Sequence, residues 1–165
     1  MRLSRFVFAA ATALLATSQA ALMGIDFGSQ YIKLALMRTG KPVEVITNIE
    51  SVRKTNNMIS FHEDVRQFSG TALIHASKSP DKVAAFLPTL LGKHVKTEAD
   101  ITAAYGLSEA FYPLQWSVNA TRESPIVTLK DTTLSIEEAV AHILRYLNRV
   151  AANANDGSSV RDIVL

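Results

Sequence analysis

Residues 23–37, MGIDFGSQYIKLALM, admit few local folds: two apolar runs meet at a short polar turn, and one acid, Asp26, stands at the end of the first run. Beyond the turn, Ile32, Leu34 and Leu36 alternate with Lys33, Ala35 and Met37. That period of two predicts a strand with one face on a core, and the two runs together predict a β-hairpin. A carboxylate beside an apolar strand is costly to bury unless it is paired, hydrogen-bonded or facing a cation. Gly28 is expected to give the backbone unusual dihedrals, so that the N–H groups of Ser29, Gln30 and Tyr31 converge on an anion. Two readings of Asp26 follow from pattern alone: a solvated acid at an ordinary turn, or the magnesium-facing acid of a phosphate cradle. Such a cradle is not a Walker loop, because no GxxxxGK[ST] occurs in the chain.

Residues 1–20 read as a secretory signal peptide: Arg2 and Arg5 open it, residues 6–16 are apolar, and Ser18-Gln19-Ala20 offers a small-residue cleavage site. The apolar stretch is too short to span a bilayer, so no membrane anchor is expected. The hairpin then opens the mature protein. The leader arginines also account for the excess of basic over acidic residues, 17 against 15. Without them the charge is balanced and no Lys/Arg run is interleaved with aromatics, which gives no support for nucleic-acid binding. The absence of cysteine excludes disulfides and thiolate metal sites, so packing must supply stability.

After the hairpin, Thr39-Gly40-Lys41-Pro42 predicts a turn and residues 43–47 a third antiparallel strand. Residues 48–57 are polar and expected to be irregular, with Arg53 and Lys54 read as a solvated loop, and residues 58–61 form a short apolar run. Ser79-Pro80 followed by Val83, Phe86, Leu87, Leu90 and Leu91 predicts a helix kinked or broken at Pro88. Signals between Lys96 and Leu114 are mixed. Residues 115–119 and 126–129 are expected to pair across a turn at 122–125. Asn119-Ala120-Thr121 is an N-glycosylation sequon, meaningful because a leader precedes it.

The clearest helix covers residues 136–152, with Ser135 and Glu138 as a capping box and Ile136, Val140, Ile143, Leu144, Leu147, Val150 and Ala151 on one face. Asn155-Asp156-Gly157 ends it before a final apolar run, residues 160–165, expected to start a buried strand of a longer chain. His62, His75, His94 and His142 lack the short spacing of a local metal site. No GxSxG, HExxH or GxGxxG occurs, so Asp26 and its turn are the motif-type chemistry that remains.

The ordered features resemble the beginning of the heat-shock protein 70 nucleotide-binding domain, from residue 23 to residue 165. GIDFGSQY is similar to that family's GIDLGTTY, and Arg53-Lys54-Thr55 with Ile59 and Phe61 to its RTTPS loop and following strand. Ser79-Pro80 through Leu90-Leu91-Gly92-Lys93 is similar to its NP-to-LIGR segment, and residues 160–165 to the strand that runs into its TVP motif. Residues 50–55, ESVRKT, resemble the ESxRKT of the large endoplasmic-reticulum branch, the hypoxia up-regulated type, and the secretory leader agrees.

The resemblance implies a truncated α/β fold, part of an actin-like ATPase domain. It would comprise a ribonuclease-H-like lobe with an inserted α+β subdomain at about 55–130. It implies ATP or ADP with Mg²⁺ as cofactors, Asp26 orienting the metal through water, and Gly28, Ser29, Gln30 and Tyr31 at the phosphates. It further implies a lumenal chaperone or nucleotide-exchange partner of a conventional heat-shock protein 70, acting on unfolded clients. Three departures bear on mechanism: Ser29-Gln30 stands for Thr-Thr, Asn56 for the loop proline, and Pro88 for the lysine used in hydrolysis. Proline offers neither charge nor proton donor, so hydrolysis is expected to be slow or absent and no catalytic residue is assigned. Two competing expectations are a small-molecule kinase of the same superfamily, whose phosphate hairpin is similar, and a truncated secreted fragment without nucleotide function. The ESVRKT and SP-to-LLGK segments favour the chaperone.

Overall fold

The structure, a computed structural model, describes residues 21–63, 65–106 and 115–165. The expected leader, residues 1–20, lies outside them. The hairpin forms as β1 (Ala21–Phe27) and β2 (Tyr31–Arg38), in antiparallel register from Ala21 opposite Arg38 to Phe27 opposite Ile32. Ile32, Leu34 and Leu36 are buried, as are Met23 and Ile25 across from them. β3 (Glu44–Ile46) pairs with the outer half of β2, within the expected third strand. Residues 48–57 are not wholly irregular. Thr55–Asn56 forms β4 against Tyr31 and Ile32, so β2 carries two short partners along one edge.

Two further sheets follow. β5 (Met58–His62) is central between β6 (Val65–Phe68) and β7 (Val83–Ala85). β8 (Gln115–Asn119), β9 (Ser124–Leu129) and β10 (Thr132–Ser135) form a meander, with β8 and β9 paired as expected. Helix α1 (Ser69–Lys78) connects β6 towards β7, and α2 (Glu98–Tyr105) lies in the region of mixed signals, where Thr97 and Asp100 form a capping box.

The helix expected at residues 79–91 does not form. Pro80–Lys82 is a single 3-10 turn, Val83–Ala85 is strand, and Leu87–Thr89 is a second 3-10 turn. Val83, Ala84 and Ala85 are all buried, and a short continuous apolar run suits a strand covered on both faces as well as it suits a helix. Phe86 then takes a left-handed φ of 55°, and Pro88, lacking a donor, fits a short turn where a long helix would lose a bond.

Helix α3 (Ile136–Ala154) forms as expected, and its buried face adds Ala139 and Tyr146 to the predicted stripe, while Leu144 is only partly buried. Leu147, Ile143 and Val150 join the β1–β2 face, β9 and Leu87 in one core. β11 (Asp162–Val164) runs parallel to β1. β11 is the outermost strand of its sheet, and with no described element covering it Ile163 is 48% and Val164 56% exposed. Among the described residues no helix is long and apolar enough to cross a membrane.

The capping box of α3 carries a pH-dependent contribution. The Ser135 N–H donates to Glu138 Oε2 at 2.8 Å and the Ser135 hydroxyl lies 3.0 Å from it, which holds the Glu138 carboxyl below the usual carboxylate range. A depressed folded-state pKa means the contribution is complete above the unfolded value of about 4.3 and is lost as pH falls through the folded value. Acid titration followed by circular dichroism is expected to show part of the loss of helix below about pH 4 disappearing in Glu138→Gln, which keeps the shape but does not titrate.

Candidate functional site

The hairpin turn is where the sequence-predicted residues meet. The two-residue loop Ser29-Gln30 is closed by the Gly28 N–H donating to the Tyr31 carbonyl at 3.1 Å. Gly28 does not adopt the unusual dihedral expected of it: its φ is not positive, and the reason for glycine is proximity. A Cβ at Gly28 would lie 2.7 Å from the Tyr31 carbonyl oxygen, a backbone atom that cannot move aside cheaply.

Asn57 fixes the turn from outside. Its N–H donates to the Gln30 carbonyl at 2.9 Å and its side-chain Nδ2 to the Gly28 carbonyl at 2.7 Å. Asn57 is 1% exposed, and its Oδ1 is buried without a partner among the described residues. With two carbonyls drawn towards Asn57, the exposed Ser29 and Gln30 N–H groups have no acceptor among the described residues. Free backbone donors at a tight turn are suited to an anion.

Asp26 lies opposite Lys33 in the ladder, and the Lys33 ammonium reaches Asp26 Oδ2 at 3.0 Å. The Asp26 side chain is 65% exposed, so the pair is solvent-screened and contributes little to stability; it positions the carboxylate rather than burying it. Tyr31 is exposed, and the Lys54 ammonium lies over its ring, 5.6 Å from the centroid. Lys54 is therefore drawn back to the turn instead of belonging to a merely solvated loop. The turn combines free N–H donors, two ammonium groups and one accessible carboxylate. That donor set fits a phosphate group with a hydrated divalent cation.

Lys33, Lys54 and Asn57 were not among the predicted site residues. For Lys33 the signal was available: a turn at Ser29-Gln30, counted outward, sets position 33 against position 26. For Asn57 there was none, since the contact spans 29 residues.

Pro88 lies away from this turn in sequence, half-buried in the Leu87–Thr89 turn beside the buried Leu87. Asn119 ends β8, and its Oδ1 accepts from the N–H groups of Thr121 and Arg122 at 3.1 Å each. No group of three or more metal-ligating side chains occurs among the described residues.

The segment ESVRKT has a structural role. Phe68, at the N-cap position of α1, supplies no side-chain cap, and Glu50 takes its place from a distance. Glu50 Oε1 accepts from the Thr71 N–H at 3.2 Å, and Oε2 from the Ser69 hydroxyl at 2.8 Å. Buried Asn48 adds its Nδ2 to Glu50 Oε2 at 3.2 Å and to Ser69 Oγ at 3.1 Å. A Cβ at Gly70 would come within 2.8 Å of Glu50 Oε1, so the small residue leaves room for this cap.

Comparison with known proteins bears on the whole described chain. The family model described as Hsp70 protein matches residues 22–165. Hypoxia up-regulated protein 1 of Xenopus laevis is 31% identical over 150 residues, covering 90% of this chain and 22% of that protein. The proteins of the same name from Danio rerio and Homo sapiens are 40% and 38% identical over 77 and 73 residues, covering 47% and 44% of this chain and 8% and 7% of theirs. The chain thus spans 22% and 23% of the length of the two Xenopus relatives it matches across 90% of itself.

Proposed function

Because the chain belongs to the Hsp70 protein family, we propose that its hairpin turn binds the phosphates of ATP or ADP with Mg²⁺ and that it serves as the N-terminal part of a nucleotide-binding domain. The observation that carries the reading is the turn itself: unfilled Ser29 and Gln30 N–H donors beside accessible Asp26, with Lys33 and Lys54 adjacent. Gly28 keeps the turn tight, and Tyr31 anchors Lys54 beside it. Asp26 would hold the metal through water, displacing Lys33 from its carboxylate. The bound metal would supply charge neutralisation at the phosphates.

The reading extends to an actin-like ATPase fold. The sheet of β1, β2, β3 and β11 with α3 would be part of a ribonuclease-H-like lobe, and about 55–130 the subdomain inserted into it. The protein would act as a chaperone or nucleotide-exchange partner in the lumen of the endoplasmic reticulum, with a lumenal heat-shock protein 70 and unfolded proteins as partners. Support comes from the similarity to the hypoxia up-regulated proteins and from ESVRKT, whose Glu50 caps α1. Asn119, in the loop-side position of its hairpin, is the proposed glycan acceptor.

Calorimetry with Mg·ATP on the full-length protein tests the site. Asp26→Ala is expected to weaken binding by about tenfold or more, the loss of a cation-facing carboxylate. With Pro88 in place of a positioned cation, ATP turnover is expected to be on the order of a hundredfold below that of lysine-bearing relatives. Unchanged affinity in Asp26→Ala would remove the turn from the nucleotide site.

A further inference from the structure

A second charged surface lies away from the hairpin turn. A cleft of about 440 Å³ between β6 and α3 is lined by Val65, Arg66, Phe68, His142, Arg145 and Arg149. None of the three arginines makes an ion pair with a described residue. Arg66 is held in place over the Phe61 ring, 5.8 Å from its centroid. Burial and the charges of Arg66 and Arg145 push the His142 imidazole below its ordinary pKa, which marks the cleft as a place where positive charge is already crowded. Among the described residues, the acids that act on His142 and Tyr146 are engaged elsewhere: Glu138 is bound by Ser135, and Glu50 caps α1. Like charges gathered without a counter-charge oppose folding, and an external anion relieves them.

We propose that this cleft docks an acidic segment of a partner protein in extended conformation. The lining decides the class of occupant. Val65 and Phe68 give the cleft apolar walls, which suit side chains between charges and do nothing for a free ion. Arg145 and Arg149 are four residues apart on α3, about 6 Å along its axis. Carboxylates on alternate residues of an extended chain are spaced by about 6.5–7 Å, so two successive acids can meet both arginines, with Arg66 facing from β6.

The test is fluorescence anisotropy on the full-length protein with a labelled octapeptide of alternating Glu and Val. A Lys/Val octapeptide serves as control, and inorganic phosphate competes against sodium chloride of matched ionic strength. The Glu/Val peptide is expected to bind, and Arg145→Gln/Arg149→Gln to weaken it by about tenfold, while Mg·ATP affinity stays unchanged. Arg66→Gln, on the opposite wall and outside the helix, is expected to weaken it as well, which keeps the test intact should the double variant disturb α3. Failure to bind the Glu/Val peptide, equal binding of the Lys/Val peptide, or affinity unaltered in the variants overturns the proposal. Displacement by phosphate beyond the matched salt overturns it in favour of a small-anion site.

Discussion

Gly28→Ala is expected to lower the stability of the protein by about 3 kcal/mol, roughly 2 from forcing a methyl into filled space and roughly 1 from the turn bond it disturbs. The methyl would begin 2.7 Å from the Tyr31 carbonyl oxygen, the same atom that accepts the Gly28 N–H at 3.1 Å. Relieving the contact means opening the turn, so the bond is stretched by the same movement. Urea unfolding checks the magnitude, with the midpoint lowered and the slope retained. Mg·ATP affinity is expected to fall with it, because the Ser29 and Gln30 donors are carried by the turn that opens. A cost below about 1 kcal/mol would mean that the strands yield instead, and that the turn is softer than the close approach implies.

Leu147→Ala is the second large effect, expected at about 3 kcal/mol. Leu147 is fully buried in α3, in the core shared by the β1–β2 face and the later strands. Truncation removes apolar contacts and leaves a cavity that parts of several sheets would have to collapse to fill. Leu144, three residues earlier and only partly buried, is the comparison: its truncation is expected to cost less than half as much, since solvent already reaches it. Thermal unfolding of the two variants in parallel reads the ratio directly.

The hairpin and α3 are the most readable parts of the chain. The hairpin was legible because Ile32, Leu34 and Leu36 alternate strictly, and α3 because a capping box introduces a long stripe of apolar residues. In both, the pattern is local and reports one buried face. Residues 69–91 offer no such local pattern. Helix α1 buries only Ser69 and Ala72, so it has no stripe to detect, and its cap is Glu50, nineteen residues before Ser69. Residues 83–85 are buried on every side and carry no period at all, while the Ser-Pro before them imitates a helix start. Around the candidate site, Asp26, Ser29, Gln30 and Tyr31 fall at one turn as expected, but the structural reason for glycine at position 28 differs from the expected one. Close approach and positive φ both select glycine, and sequence alone does not separate them.

Asn57 gives the site a history as well as a shape. The turn hydrogen-bonds to a residue 29 positions downstream, on the far side of β3 and the Asn48–Val52 loop. A two-residue hairpin can close within microseconds, whereas bringing Asn57 to it requires a longer loop to close and β4 to dock. The early hairpin therefore has its strands before it has its clamped carbonyls. If the turn holds an anion as proposed, its clamped form is expected only once the following segment has been laid against β2, so occupancy of Ser29 and Gln30 would report that the segment is in place.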